Sequence, residues 1–384
     1  MTLRYQSLKI KGRWFDLFCA SPNRLAQREP VLSPETDSGV GELSMLLRCF
    51  CSLLLVCLAL PAAAQAVEPE PKTSMEWFTR ASDRMNLRLP GSPAFHMTVK
   101  FHAFPGKLAE KSEFKIGGGV YEETWLSLHE WRREVTLADF HAVEKDSGGV
   151  RKMQASGDYE PSRVLMLMDA LLTPIPRNFM SKEFRDEGAS GWKIDHVSSG
   201  ALTLVRISKS HGNERGDSST TFFFLPRGFL AIRNDAGLTT RWENDTPFGN
   251  AVVPQHLSIK AGDRDLLIAD VAIEGARKVD PATFDLPGGP AEPGMTLRPF
   301  NAFEVKRPDL SEHFEWRSSN TGTVPVFSFR GVLDRHGRYR ELEEILAPNE
   351  NDAWMTLDHF RQAKHSPAEI DGSPCQLAMI WVSM

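Results

Sequence analysis

The chain has 384 residues, with 45 Lys and Arg against 50 Asp and Glu and a net charge of −5. At about 150 residues per domain that length suggests two domains or three, and 41% hydrophobic with 25% charged residues excludes wholesale disorder. The near-neutral balance argues against a nucleic-acid binder, and no repeat or series of long apolar runs points to collagen, a coiled coil or a polytopic membrane protein.

Residues 1–44 are polar and irregular. In Met45–Ala66, Arg48 precedes an apolar run that ends in Ala62, Ala64 and Ala66 at A-x-A spacing. That is the pattern of a secretory signal peptide, with cleavage expected after Ala64 or Ala66. Translation is accordingly expected to begin at Met45, which leaves 1–44 as a mis-assigned leader. The rival reading is an uncleaved inner-membrane anchor. Its apolar core, Cys49–Ala64, is 16 residues, short of the roughly 20 of a spanning helix. Cys19, Cys49, Cys51 and Cys57 all precede the cleavage point, so the mature chain keeps Cys375 alone. One cysteine builds neither an internal disulfide nor a thiolate metal site.

After a proline-bearing lead-in, Ser74 is expected to cap a helix running to about Met85, with Met75, Phe78, Ser82 and Met85 on one face. From Phe95 the period changes to two, the mark of a half-buried antiparallel strand. Gly117-Gly-Gly119 reads as a turn into a strand at Val120. Further strands follow at 131–137, 140–144 and 150–154. Residues 161–172 interrupt them with a helix that starts at Pro161. Strands resume between 192 and 273. With about eleven short strands and no helical crossovers, the fold class is α+β: an antiparallel incomplete β-barrel with capping helices. Residues 289–321 read as a linker. Residues 322–384 form a second unit in the order β-β-α-β, with Asn351 or Asp352 as helix cap and Ala353, Leu357 and Phe360 on one face.

Several phrases carry a resemblance. "Gly119-Val-Tyr-Glu-Glu-Thr-Trp125", "Phe224-Leu-Pro-Arg-Gly-Phe-Leu230", "Val253-Pro-Gln-His-Leu-Ser-Ile259" and the closing "Phe284-Asp-Leu-Pro287" make residues 73–288 similar to the LolA/LolB lipoprotein-carrier superfamily. This resemblance implies an open barrel whose concave apolar face holds acyl chains. "Phe329-Arg-Gly-Val-Leu-Asp-Arg-His-Gly-Arg338" and "Ser366-Pro-Ala-Glu-Ile-Asp-Gly-Ser-Pro374" make residues 322–384 similar to the TonB C-terminal domain. That likeness implies protein docking. Energy transduction would need a retained membrane helix and a proline-rich spacer, and a chain with a cleaved signal has neither.

Catalytic chemistry finds little footing. His129-Glu130 opens like a zincin motif, but Arg133 stands where the second His belongs. Glu122 and Glu123, like Glu343 and Glu344, alternate to opposite strand faces. No catalytic residue, metal ligand or cofactor is expected. Trp125, Trp131, Phe222, Phe224 and Trp242 are candidates to line an apolar ligand cavity; the competing reading is that they fill a closed core. The expected function is a periplasmic, non-enzymatic carrier or scaffold. It would bind a lipid or acylated ligand in the barrel, with peripheral membrane contact, and dock another envelope protein through its C-terminal unit. The alternatives are an interaction module with a filled barrel and, behind it, a secreted hydrolase.

Overall fold

The computed structural model describes residues 69–107, 114–175, 191–200, 202–210, 219–235, 237–276, 279–285, 305–306, 327–347, 350–362, 365–370 and 373–383. The signal-like segment and the expected start at Met45 lie outside them. Every element named below belongs to one structural unit.

Helix α1, Ser74–Met85, is capped by Thr73 rather than Ser74: the Thr73 hydroxyl accepts from the Glu76 amide at 3.2 Å. The Glu76 carboxylate in turn accepts from the Lys72 amide at 2.6 Å, which closes a reciprocal cap. The buried stripe is Trp77, Phe78, Ala81 and Met85. Met75 and Ser82 are only half-buried, because the stripe follows the two aromatic residues.

Twelve strands, where about eleven were expected, form one antiparallel sheet. They are β1 (Phe95–Ala103), β2 (Gly117–Ser127), β3 (Glu130–Leu137), β4 (Phe140–Ser147), β5 (Val150–Ala155), β6 (Lys193–Ser199), β7 (Leu202–Ser210), β8 (Ser219–Phe224), β9 (Leu230–Asp235), β10 (Leu238–Phe248), β11 (Ala251–Ala261) and β12 (Arg264–Gly275). Their spatial order is β5-β4-β3-β2-β1-β12-β11-β10-β9-β8-β7-β6. The first and last strands therefore pair at the centre. The open edges, β5 and β6, are adjacent in sequence and separated by helix α2, Ser162–Leu172. All neighbours except β1 and β12 are consecutive, so short turns fix most of the register.

The glycine run 117–119 is not a turn but the first three residues of β2, paired with Ala103, His102 and Phe101. Gly119 has to be bare: a Cβ there would lie 2.7 Å from both Phe101 Cε2 and the Thr136 carbonyl oxygen. Alternation along β1 follows the expected pattern, with Phe95, Met97, Val99, Phe101 and Ala103 all buried. Cross-strand partners extend this buried face through Ala269, Leu257 and Trp242 on one side. Both helices cover it, and all eleven residues of α2 are buried.

A second, three-stranded antiparallel sheet has the order β15-β14-β18, from β14 (Phe327–Leu333), β15 (Tyr339–Leu346) and β18 (Leu377–Ser383). Helix α3, Glu350–Gln362, packs on it through Ala353, Leu357 and Phe360. Asn351 and Asp352 lie inside this helix rather than at its cap. A small sheet joins β13 (Val305–Lys306) to the hairpin β16 (Ala368–Ile370) and β17 (Ser373–Cys375). Cys375 is buried and forms no disulfide among the described residues. Strand β15 serves two cores: Leu342 joins the α3 core, while Ile345 joins the core of the large sheet.

Candidate functional site

The structure places the five aromatic candidates at four locations, all buried. Trp125 stacks on Phe95, with ring centroids 5.6 Å apart. Trp131 lies under two guanidinium groups, Arg133 at 4.3 Å and Arg151 at 5.1 Å. Phe222 and Phe224 meet α1: Phe78 is 4.9 Å from the Phe222 ring and Trp77 is 5.4 Å from the Phe224 ring. Trp242 donates its indole N–H to the Ala170 carbonyl of α2 at 3.1 Å. The chain's own aromatic and cationic groups therefore contact the first four, and Trp242 stands in the wall of a cleft.

That cleft lies where the end of α1, the end of α2 and strands β1, β10 and β11 converge. Met85, Leu87, Met97, Leu171, Trp242 and Val253 line it with Ala170, Pro174, Val252 and Pro254, so no lining residue is charged, although polar atoms share the exposed wall with apolar ones. The space open to a water-sized sphere is about 10 Å³, about one water molecule. Two methionines, whose unbranched side chains re-pack readily, stand in its wall. Apart from Trp242, sequence reading missed these residues because they come from separate elements. The one local signal was a methionine and a leucine, Met85 and Leu87, straddling the end of a helix.

Beside the apolar face runs a buried ionic network. Glu123 accepts two bonds from the Arg88 guanidinium, one of them Nε at 2.8 Å, and a third from the Tyr121 hydroxyl at 2.8 Å. Arg133 sits 3.4 Å from Glu123 and 3.6 Å from Glu144. Burial pushes the Glu123 carboxyl up, but the Arg88 and Arg133 charges overcome it and hold it at about 2. Glu160 has neighbours of both signs: burial first, and then the Glu144 charge, drive its carboxyl well above the usual range against the pull of Arg133. These groups were legible as a break in alternation, since Glu123 falls between Tyr121 and Trp125, and Arg133 between Trp131 and Val135, on buried faces.

A third cluster joins α2 to β15. Arg163 forms a fork with the Glu343 carboxylate at 2.5 and 2.8 Å, with both side chains fully buried. Glu341 accepts the Ser162 amide at 2.7 Å and the Lys115 amide at 3.2 Å. Lys107 reaches Glu344 at 3.0 Å. Among the described residues, no group of three or more His, Cys, Asp and Glu side chains is placed to hold a metal ion. Among them also, no helix is long and apolar enough to cross a membrane.

No protein-family model and no curated protein matches the chain. A crystal structure of a LolA-superfamily protein from Nitrosomonas europaea is similar to it, with a TM-score of 0.30 and 9% identity, covering 56% of this chain and 99% of that one.

Proposed function

We propose that the protein is a non-enzymatic binding protein of the bacterial envelope that takes an apolar chain, such as a lipid acyl group, between its two helices and the buried face of the large sheet. The observation that carries this reading is the cleft: ten lining residues, none charged, drawn from both helices, the segments just after them and three strands. Binding there would be driven by burial of methylene groups, at about 0.8 kcal/mol each. The lipid-carrier resemblance of residues 73–288 names the same ligand class. A secreted, periplasmic location follows from the signal-like segment, and the C-terminal unit is the part proposed to touch another envelope protein.

A cleft with room for one water must widen to admit a chain, so the described structure corresponds to the closed form. Fluorescent fatty-acid titration checks this directly. Saturable uptake is the expected result, with tryptophan emission quenched by a brominated fatty acid and that quenching reduced in Trp242→Phe. No uptake, and no lipid found by native mass spectrometry, would overturn it. The second reading, an interaction scaffold with a filled face, is favoured by the complete burial of α2 and predicts that null result.

A further inference from the structure

Helix α2 is held at its two ends by different parts of the chain. Its first turn has no cap of its own, because Pro161 stands at the N-cap and makes no side-chain bond. Val164 of the first turn packs in the large-sheet core, but the hydrogen-bond and ion-pair partners of this turn come mainly from the C-terminal unit. The Ser162 amide donates to Glu341, Arg163 forks onto Glu343, and Leu165 packs on Val332. One residue before the N-cap, the Glu160 amide donates to Gln376 at 2.5 Å and the Gln376 side chain donates back to the Glu160 carbonyl at 2.9 Å. Toward the large-sheet side this end donates Arg163 Nε to the Phe104 carbonyl at 3.0 Å, and the guanidinium lies over the Phe114 ring at 5.0 Å.

The other end of α2 belongs to the large sheet and to the cleft. Asp169 pairs with Arg233 of β9 at 2.7 Å, and Ala170 receives the Trp242 N–H. Arg233 also donates to the Pro174 carbonyl at 3.0 Å. Ala170, Leu171 and Pro174 are cleft wall.

We propose that the C-terminal unit is a latch that seats α2, so that releasing the unit unseats the helix and widens the cleft. Undocking would break the Arg163–Glu343 fork, whose two side chains are fully buried in the docked state, and open the first turn of α2 to water. It would also leave the Ser162 amide without its acceptor. A helix of eleven residues has little intrinsic stability, so after those losses its place depends on its apolar packing against the large sheet. The latch makes seating of α2 and docking of the C-terminal unit one event. Only the ligand that passes the cleft rests on the carrier reading; the latch itself is a property of the empty protein.

Two variants of the full chain test it by different means. Glu343→Gln removes the charge of the fork. Gly106→Ala removes no charge, but its Cβ would lie 2.7 Å from Glu343 Cβ and wedge the contact. Hydrogen exchange followed by mass spectrometry reads each segment. In both variants the α2 amides are expected to exchange about a hundredfold faster while β10–β12 keep wild-type protection. Unchanged α2 protection alongside faster exchange in the C-terminal unit would overturn the latch. So would loosening of every segment by one common factor, which is plain destabilisation. If α2 loosens but no variant takes up cis-parinaric acid, the latch stands and the carrier reading falls.

Discussion

Glu123 and Glu160 are both sealed from solvent, at 0% and 2% exposure, yet their carboxyls are pushed in opposite directions. Glu123 sits at the centre of a ring of donors, with Arg88, Arg133 and Tyr121 all within bonding or ion-pair reach. The backbone of Glu160 is held by Gln376, but its Oε1 has no hydrogen-bond partner among the described residues, and its nearest charged influences are Glu144 and Arg133. The same burial thus acts on both acids, and partner geometry decides which form survives.

Removing one member of the compensated ring should have the largest effect. Arg133→Met leaves Glu123 and Glu144 short of a counter-charge inside the fold. A loss of about 3 kcal/mol or more is expected, read from the urea midpoint at constant slope. The double replacement Arg88→Met with Glu123→Leu should fall well short of the summed single losses, because no orphan charge remains. Additive losses would show that the ring is not acting as a unit.

The acid limb comes next. The Glu123 carboxyl is held at about 2 against an ordinary 4.5. Its contribution is therefore complete above 4.5 and disappears as the pH falls through 2, amounting to about 3 kcal/mol. Urea titrations of the wild type and of Glu123→Gln should converge between pH 5 and pH 2. Curves that stay parallel would refute the assignment.

Glu160→Gln is the smallest and has the opposite sign. A carboxyl raised in the folded state disfavours folding increasingly as the pH rises above 4.5. The variant should match the wild type at pH 4 and exceed it at pH 8, by on the order of 1 kcal/mol. A variant less stable at pH 8 would mean that the ionised form has a partner.

Much of the architecture was readable in advance. Alternation marked β1 and its neighbours, the proline at 161 marked the start of α2, and Ala353, Leu357 and Phe360 marked the buried side of α3. These are short-range signals, since a period of two or 3.6 is set by residues that are neighbours in the chain. The glycines before Val120 misled for a related reason. Glycine favours turns, but here it makes room for the Phe101 ring from the next strand.

The candidate site was only partly readable. Large aromatic side chains are identifiable as buried, but which of them face a neighbouring helix and which face a cleft depends on where that helix lies. Phe222 and Phe224 face α1, and Trp242 faces the cleft.

The sequence by itself determined the period-two strands and the apolar character of one sheet face, because each follows from local patterning. The tertiary structure alone decided which charges meet. Arg88 and Glu123 are 35 residues apart, and Arg163 and Glu343 are 180 apart. No periodicity links such pairs, and their worth depends on burial and geometry that exist only once the chain has closed on itself.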